Sequence, residues 1–437
     1  MTRHRPVRAV DRRPAILVGM GETAGYCARL VDGLRAIGVR ADHLNLGADP
    51  MSYADHGPGP RVRAVRWLAA RRRSGPGPRA AWALVHRLAM AWFFIAAIVR
   101  YDAFVFRAGD SFFALRDLAL LRRLGKRVVV VFFGSDSRPS YLNGAELAVH
   151  EGAALAATSE AKRRMVERTE RHASVIVCHV MSAQLHRRRA VRFLEVGIPR
   201  RAAPPDVPAP RGVPDGAVRF LHAPSRSVDK GTARVEAAVA ALRAEGLAIE
   251  LRIVTNVPNR AVLAAIAECD VVIDQLYSDT PMAALAAEAA SLGRPAIVGG
   301  HGWEVLRAAS EPGSLPPSHL CHPDELEDAI RRLATDHAYR TELGARARRF
   351  LEERWTPERV AERMLDLVAG DVPPGWWFEP ADVAYPHGAG APIEAVADGV
   401  RRVLDAAGPE GLQVGDKPAL LERLLALVSR RPAGAVG

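Results

Sequence analysis

Cysteine is scarce in this chain of 437 residues. Only four occur, Cys27, Cys178, Cys269 and Cys321, and no two stand at the spacing of a metal knuckle or a disulfide scaffold. A core of the size this length allows needs no such staple, so a reducing, cytoplasmic compartment is expected. The sequence has no Asp-x-Asp pair and no His/Cys ligand set, so neither a metal nor another cofactor is expected. Lysine is scarcer than arginine by far, at four of the 60 basic residues. Long apolar runs are missing too. The first, 14–18, is too short for a signal peptide, and the run 88–99 falls short of the roughly 18 residues that span a bilayer. What is present is a 49% hydrophobic and 25% charged composition, which excludes disorder along the whole chain. At this length two domains are expected.

The net charge of +11 is unevenly placed. Residues 1–200 hold 34 basic against 16 acidic residues, a net +18, so the remainder sums to −7. Such a half suits an anionic partner, whether a lipid surface, a phosphorylated substrate or a nucleic acid. An arginine-biased but ordinary solvated surface is the alternative. Recognised nucleic-acid-reading motifs are absent, and aromatics are not interleaved through most of the arginine run, so a nucleic-acid partner is not expected.

The first half opens as strand 14–19, glycine loop 19–25 and helix 26–37, followed by strand 39–46, which makes a β-α-β unit. Strands are expected at 101–106, 127–133, 153–158 and 173–177, and helices at 117–124 and 160–169. The stretch 57–100 is different. It carries nine arginines from Arg61 to Arg100 and no acidic residue, and it ends in the apolar run 88–99. Two readings stand open there: a core helix packed on the sheet, or a segment lying in a membrane interface or against a lipid acceptor.

The proline-rich stretch 199–214 reads as a linker. Strands then alternate with helices again: strands 218–222, 249–255, 271–273 and 295–298, with helices 231–245, 260–267, 282–291, 323–334 and 340–353. This predicts a second parallel α/β domain and a cleft between the carboxyl ends of two sheets. The expected boundaries are 1–205, 206–370 and a partly helical C-terminal appendage at 371–437, with helices at 393–406 and 418–429.

Transfer from a nucleotide-activated group needs cations and amides at the diphosphate and a group that reads hydroxyls. Arg226 and Lys230 follow a strand end in Ala223-Pro-Ser-Arg-Ser-Val-Asp-Lys-Gly231, and Tyr277-Ser-Asp-Thr-Pro281 leads toward Glu288 beyond another. The loop at Gly21 and Gly25 lacks the dinucleotide fingerprint, so a nicotinamide nucleotide is disfavoured.

Over roughly residues 14–365 the chain resembles the retaining GT-B glycosyltransferases, family 4 in particular. The resemblance is carried by Ala267-Glu-Cys-Asp-Val-Val-Ile-Asp274, by Ala286-Ala-Glu-Ala-Ala-Ser-Leu-Gly293-Arg-Pro295, by Lys230-Gly231 after Arg226, by Phe132-Phe-Gly-Ser-Asp-Ser-Arg138 and by Trp355-Thr-Pro-Glu-Arg-Val360. It implies two Rossmann-like domains facing each other across a cleft, and hexose transfer from a UDP- or GDP-sugar to a natural product, saccharide or lipid-linked acceptor. It also implies that Arg226 and Lys230 neutralise the diphosphate and Glu288 accepts from ribose hydroxyls. Gly21, Ser278 and Thr280 complete the donor set, Glu22, Arg138 and His179 the acceptor set, and Asp136 and Asp279 are the candidate catalytic carboxylates. The chain departs from the family pattern at Thr280, where a glutamate is usual, and at Phe133, where a histidine is usual. A catalytically degenerate binding protein of the same fold is the alternative. Peripheral contact with an anionic inner membrane face is expected as an addition.

Overall fold

The computed structural model describes residues 13–47, 60–74, 79–201, 203 and 216–429. The proline-rich linker expected at 199–214 lies largely outside them.

Six parallel strands build the first sheet: β1 (Ile16–Met20), β2 (Ala41–Asn45), β3 (Ala103–Arg107), β4 (Arg127–Val131), β5 (Val175–Cys178) and β6 (Ala190–Arg192). The second sheet contains β7 (Val218–His222), β8 (Ile249–Ile253), β9 (Val271–Gln275), β10 (Ala296–Gly299) and β11 (His319–Cys321), and β12 (Trp377–Phe378) returns to the first. The orders are β12-β6-β5-β4-β3-β1-β2 and β11-β10-β9-β7-β8, with all pairings parallel except β12 on β6. β4 reads Arg-Val-Val-Val-Val, and its four valines are buried, as fits a strand covered by helices on both faces. Strand order reverses beside β1 in the first sheet and beside β7 in the second. Those reversals open crevices at the carboxyl edges, where loops diverge to opposite faces.

The GT-B expectation of two facing α/β domains is met, and several elements differ from the sequence reading. Residues 153–158 are not a strand. They open the helix Gly152–His172, because an alanine-rich run with small side chains packs against the helix Ile393–Ala407. The pattern of a short apolar run alone does not distinguish the two states. β6, β11 and β12 were not visible in the pattern, being two or three residues long.

The chain crosses back after Trp355, which is fully buried. Thr356 caps the helix Pro357–Ala369 by accepting from Arg359 N at 3.3 Å. That helix lies on Tyr26–Ala36 at Gly33, where any Cβ would collide with the carbonyl oxygen of Pro357. Residues 371–429 also return to the first domain. Tyr141, Leu155, Val396, Val400, Leu412 and Leu424 share a small core there, and Tyr141 Oη donates to Leu412 O at 2.7 Å.

The basic, apolar stretch forms two helices, Pro60–Ser74 and Arg79–Arg100. The second extends well ahead of the run at 88–99, since a helix averages over His86 and Arg87 where a count of consecutive apolar residues stops. By length and composition alone, Ala80–Arg100 is long and apolar enough to cross a membrane, contrary to the sequence reading. Met90, Phe94 and Ala97 pack on the first domain, but most of the helix is exposed, so the core-helix reading holds for one stripe only.

Candidate functional site

The loop after β7 is shaped by backbone. Arg226 is extended, residues Ser227–Lys230 make one helical turn, and Gly231 takes a left-handed φ of 74°. A Cβ on Gly231 would meet the Leu276 side chain at 2.7 Å, so glycine permits both the turn and the close approach to the end of β9. Leu276 N donates to Lys230 O at 3.2 Å, and Lys230 Nζ donates to Gln275 Oε1. The lysine is thereby held at the carboxyl edge of β9, beside the strand-order reversal.

Three cavities meet along the cleft. One, of 310 Å³, lies between the domains and is lined by Thr23, Phe133, Arg138, His179 and Arg200 on one side and by Arg226, Lys230, Gln275, Asp279 and Thr280 on the other. Ala389 and Gly390 supply a third wall. The second, of 230 Å³, lies wholly in the second domain, where Ser225, Lys230, Ala283 and Ala284 are shared with the first and Asn256, Asn259, Asp274 and Glu288 add polar side chains. The third, of 290 Å³, holds Arg107 and Asp136 and shares Thr23, Phe133, Gly134 and Ser135 with the interdomain cavity.

Two buried ion pairs cross between the domains. Arg138 donates to Asp279, with both side chains at most 7% exposed. Arg200 Nη1 lies 3.2 Å from Glu288 Oε1, with both at most 6% exposed. Asn259 Nδ2 donates to the same oxygen at 2.9 Å, so both of these bonds fall on Oε1 while Glu288 faces the second-domain cavity. A carboxylate tethered through one oxygen keeps acceptor capacity at the other. Asp274, at the end of β9, is buried with Oδ2 unpartnered, and desolvation holds its pKa above the usual carboxylate range.

The sequence-derived residues fall into two groups. Arg226, Lys230, Thr280 and Asp279 meet Arg138 and His179 around the interdomain cavity, with Glu288 behind Lys230 and Asp136 behind Phe133. Gly21, Glu22 and Ser278 line none of the three. Glu22 turns back on its own loop, accepting from Thr23 N and Cys27 N at 2.7 and 3.1 Å and from Ala28 N at 2.9 Å, which caps the helix Tyr26–Ala36. Gly21 leaves room for Arg107, whose Nη1 donates to Glu22 O at 2.8 Å and Thr23 Oγ1 at 2.9 Å. Ser278 Oγ donates to Thr280 O at 2.8 Å and accepts from Gln275 Nε2 at 2.6 Å, so it ties the loop internally. Arg226 is the most exposed of the cations and pairs with Asp229 at 3.1 Å.

Arg107, Arg200, Asn259, Gln275 and the Ala389–Gly390 wall were not anticipated. Arg200 stands at the start of the proline-rich stretch 199–214, a position that reads as linker. Nothing in sequence places the loop ending in Gly390 beside Tyr277, whose carbonyl accepts from Gly390 N at 2.8 Å.

His179 shares the wall with the Arg138–Asp279 pair, and its ring tilts over Phe193 with centroids 4.2 Å apart. Desolvation outweighs the pull of Asp279 and lowers its pKa to about 4, so the imidazole is neutral at pH 7. Asp136 accepts from Phe133 N at 2.8 Å, yet burial pushes its pKa up to about 6 despite Arg107 and Lys162 nearby. Raised in the folded state, that carboxyl contributes stability that is full below about pH 4 and is lost as pH rises through about 6. Asp136→Asn keeps an oxygen for the Phe133 amide and removes the charge. Its melting temperature relative to the parent is expected to rise between pH 4 and about 6.5 and then level off; a difference flat in pH would contradict the burial argument.

No protein-family model matches the chain, and no curated protein does. Several solved structures are similar to it at low identity. HepE from Anabaena, in complex with UDP-glucose, is 13% identical over 82% of this chain and 100% of that one, with a TM-score of 0.48. The lipopolysaccharide outer core galactosyltransferase WaaB is 11% identical over 82% and 99%, with a TM-score of 0.45. The glycosyltransferase SnogD from Streptomyces nogalater is 18% identical over 81% and 99%, with a TM-score of 0.38.

Proposed function

We propose that the protein transfers a hexose from a UDP- or GDP-sugar to an acceptor, retaining anomeric configuration and using no metal ion. The observation that carries this reading is Lys230, held between two adjoining cavities of different character. The second-domain cavity offers a tethered carboxylate, two asparagines and apolar walls from Val254, Val257 and Val262, which suit a ribose and a base. The interdomain cavity offers Lys230 and Arg226 beside neutral polar groups, which suit a diphosphate and its sugar.

In this reading the bond from the anomeric carbon to the diphosphate breaks and a bond to the acceptor oxygen forms. The acceptor proton passes to a donor phosphate oxygen, as the resemblance to retaining enzymes implies. Lys230 and Arg226 stabilise the departing diphosphate. Neither Phe133 nor Thr280 brings a charge to the sugar, and Asp279 is already neutralised by Arg138. Neutral His179 and Gln275 are left as hydrogen-bonding groups on that wall. The acceptor class this reading admits is a natural product, a saccharide or a glycolipid, approaching from the side of Arg107 and Asp136.

The test is a panel of UDP- and GDP-sugars incubated with pooled acceptors and read by mass spectrometry. One donor is expected to lose its sugar with a product heavier by one hexosyl unit. Normal nucleotide binding with no turnover of any donor would replace this reading with that of a degenerate binding protein.

A further inference from the structure

Along the helix Arg79–Arg100, one stripe is left uncovered. Leu84, Leu88, Trp92, Ile95 and Val99 recur at the three- and four-residue steps of a single helix face and are 58, 62, 53, 58 and 82% exposed. From Leu84 to Val99 the stripe runs about 22 Å at 1.5 Å per residue. The opposite face is fixed: Met90, Phe94 and Ala97 are buried, and the Phe94 ring meets Phe112 and Phe113 at 5.2 and 5.5 Å. The helix therefore cannot roll to hide its stripe without giving up that packing.

The companion helix Pro60–Ser74 widens the surface. Trp67 is half exposed, stacks edge-on to Trp82 at 5.5 Å and carries the Arg71 guanidinium 5.0 Å over its ring. Arg66 secures this helix by donating to Asn45 O at 2.9 Å. No acidic residue occurs from Arg61 to Arg100, against nine arginines. A lone apolar stripe would suit a second copy of the chain, but two copies would bring like-charged arginine flanks together. Charge complementarity calls instead for a partner that is both apolar and anionic.

We propose that these two helices dock the first domain in the plane of an anionic lipid membrane, with the Leu84–Val99 stripe inserted among the acyl chains and the arginines at the headgroups. Spanning the bilayer would strip Met90, Phe94 and Ala97 from the core, so the helix lies flat. Phe112 and Phe113, on which Phe94 packs, follow the carboxyl end of β3, the edge on which the cavity at Arg107 opens. Where the transferase reading holds, a docked cleft faces an acceptor carried on lipid. The docking itself does not depend on that reading.

The experiment is co-sedimentation of the full chain with vesicles of phosphatidylcholine alone and with added phosphatidylglycerol, at low and high salt. Binding is expected only with the anionic lipid, weakening about tenfold or more as salt rises. Leu88→Gln with Ile95→Gln and Val99→Gln, all exposed and so harmless to the fold, is expected to weaken binding about tenfold or more with an unchanged melting temperature. Arg71→Glu with Arg87→Glu is expected to do the same at low salt. No binding to anionic vesicles at low salt, or equal binding to neutral ones, overturns the proposal. So does retention after an alkaline wash, which would mean a spanning helix, or a change from dimer to monomer in the glutamine variant, which would mean an interface between copies.

Discussion

Asp279→Asn is expected to destabilise the fold by about 3–5 kcal/mol, because it leaves the Arg138 guanidinium charged, buried and without its counter-ion. The surroundings offer little relief. Arg138 Nε has no partner, and the neighbouring His179 is held neutral. Replacing both members by apolar residues of similar volume, Arg138→Met with Asp279→Leu, is expected to cost less than either single change, since neither charge is then stranded. Urea unfolding of the three variants at pH 7 reads this directly. A single variant as stable as the parent would mean that the pair is hydrated, whatever its burial. Arg138 belongs to the first domain and Asp279 to the second, so the pair also fixes how the cleft is closed. Turnover of Asp279→Asn is therefore expected to fall about tenfold or more with modest change in nucleotide affinity, the pattern of an interaction that matters chiefly in the transition state. A loss of nucleotide affinity with turnover at saturating donor unchanged would assign Asp279 to binding alone.

Lys230→Met should lower affinity for UDP roughly ten- to hundredfold and leave affinity for uridine unchanged. A hydrogen bond to a charged group contributes about 1.5–3 kcal/mol, and each 1.4 kcal/mol is a factor of ten. Methionine keeps the apolar stem and removes only the ammonium group, which donates to Gln275 at the junction of two cavities. Calorimetry with UDP and uridine isolates the phosphate contribution from the nucleoside. Where turnover is measured, a further loss of about 10²–10³ is expected if the charge stabilises the leaving diphosphate. Equal losses for UDP and uridine, or no loss for either, would remove Lys230 from the phosphate role.

Much of the fold was legible because its strands advertise themselves. Val-rich β4 and the Ile-Leu-Val of β1 are continuous buried runs, and the loops after β1 and β7 carry glycines at the turns into helices. Lys230 stood out in an arginine-biased chain, and its position after a strand end already implied a carboxyl-edge site. Glu288 stood out as a carboxylate among alanines, a placement that burial penalises unless it is paired.

Local pattern could not show which groups those side chains would meet. Arg138 and Asp279 are 141 residues apart, and Arg200 and Glu288 are 88 apart, so the neutralisation of both carboxylates is a product of domain closure. Glu22 shows the reverse: a residue expected to reach outward spends its oxygens on the amides of its own helix start. Residues 371–429 read as an appendage because their hydrophobic partners, Tyr141 and Leu155, lie more than two hundred residues earlier. The arginine-flanked helix was visible as composition, but whether its apolar side chains face core or solvent depends on rotation about its axis. Composition is blind to rotation; the packing of Phe94 against Phe112 and Phe113 set it. Periodicity and turn chemistry thus carry the longer strands of both sheets, their ends and the residue types gathered there, but not the two- and three-residue strands β6, β11 and β12. The tertiary structure alone decided which charges pair, which face of the helix stays bare and which loop closes the cleft, because each depends on contacts between segments distant in the chain.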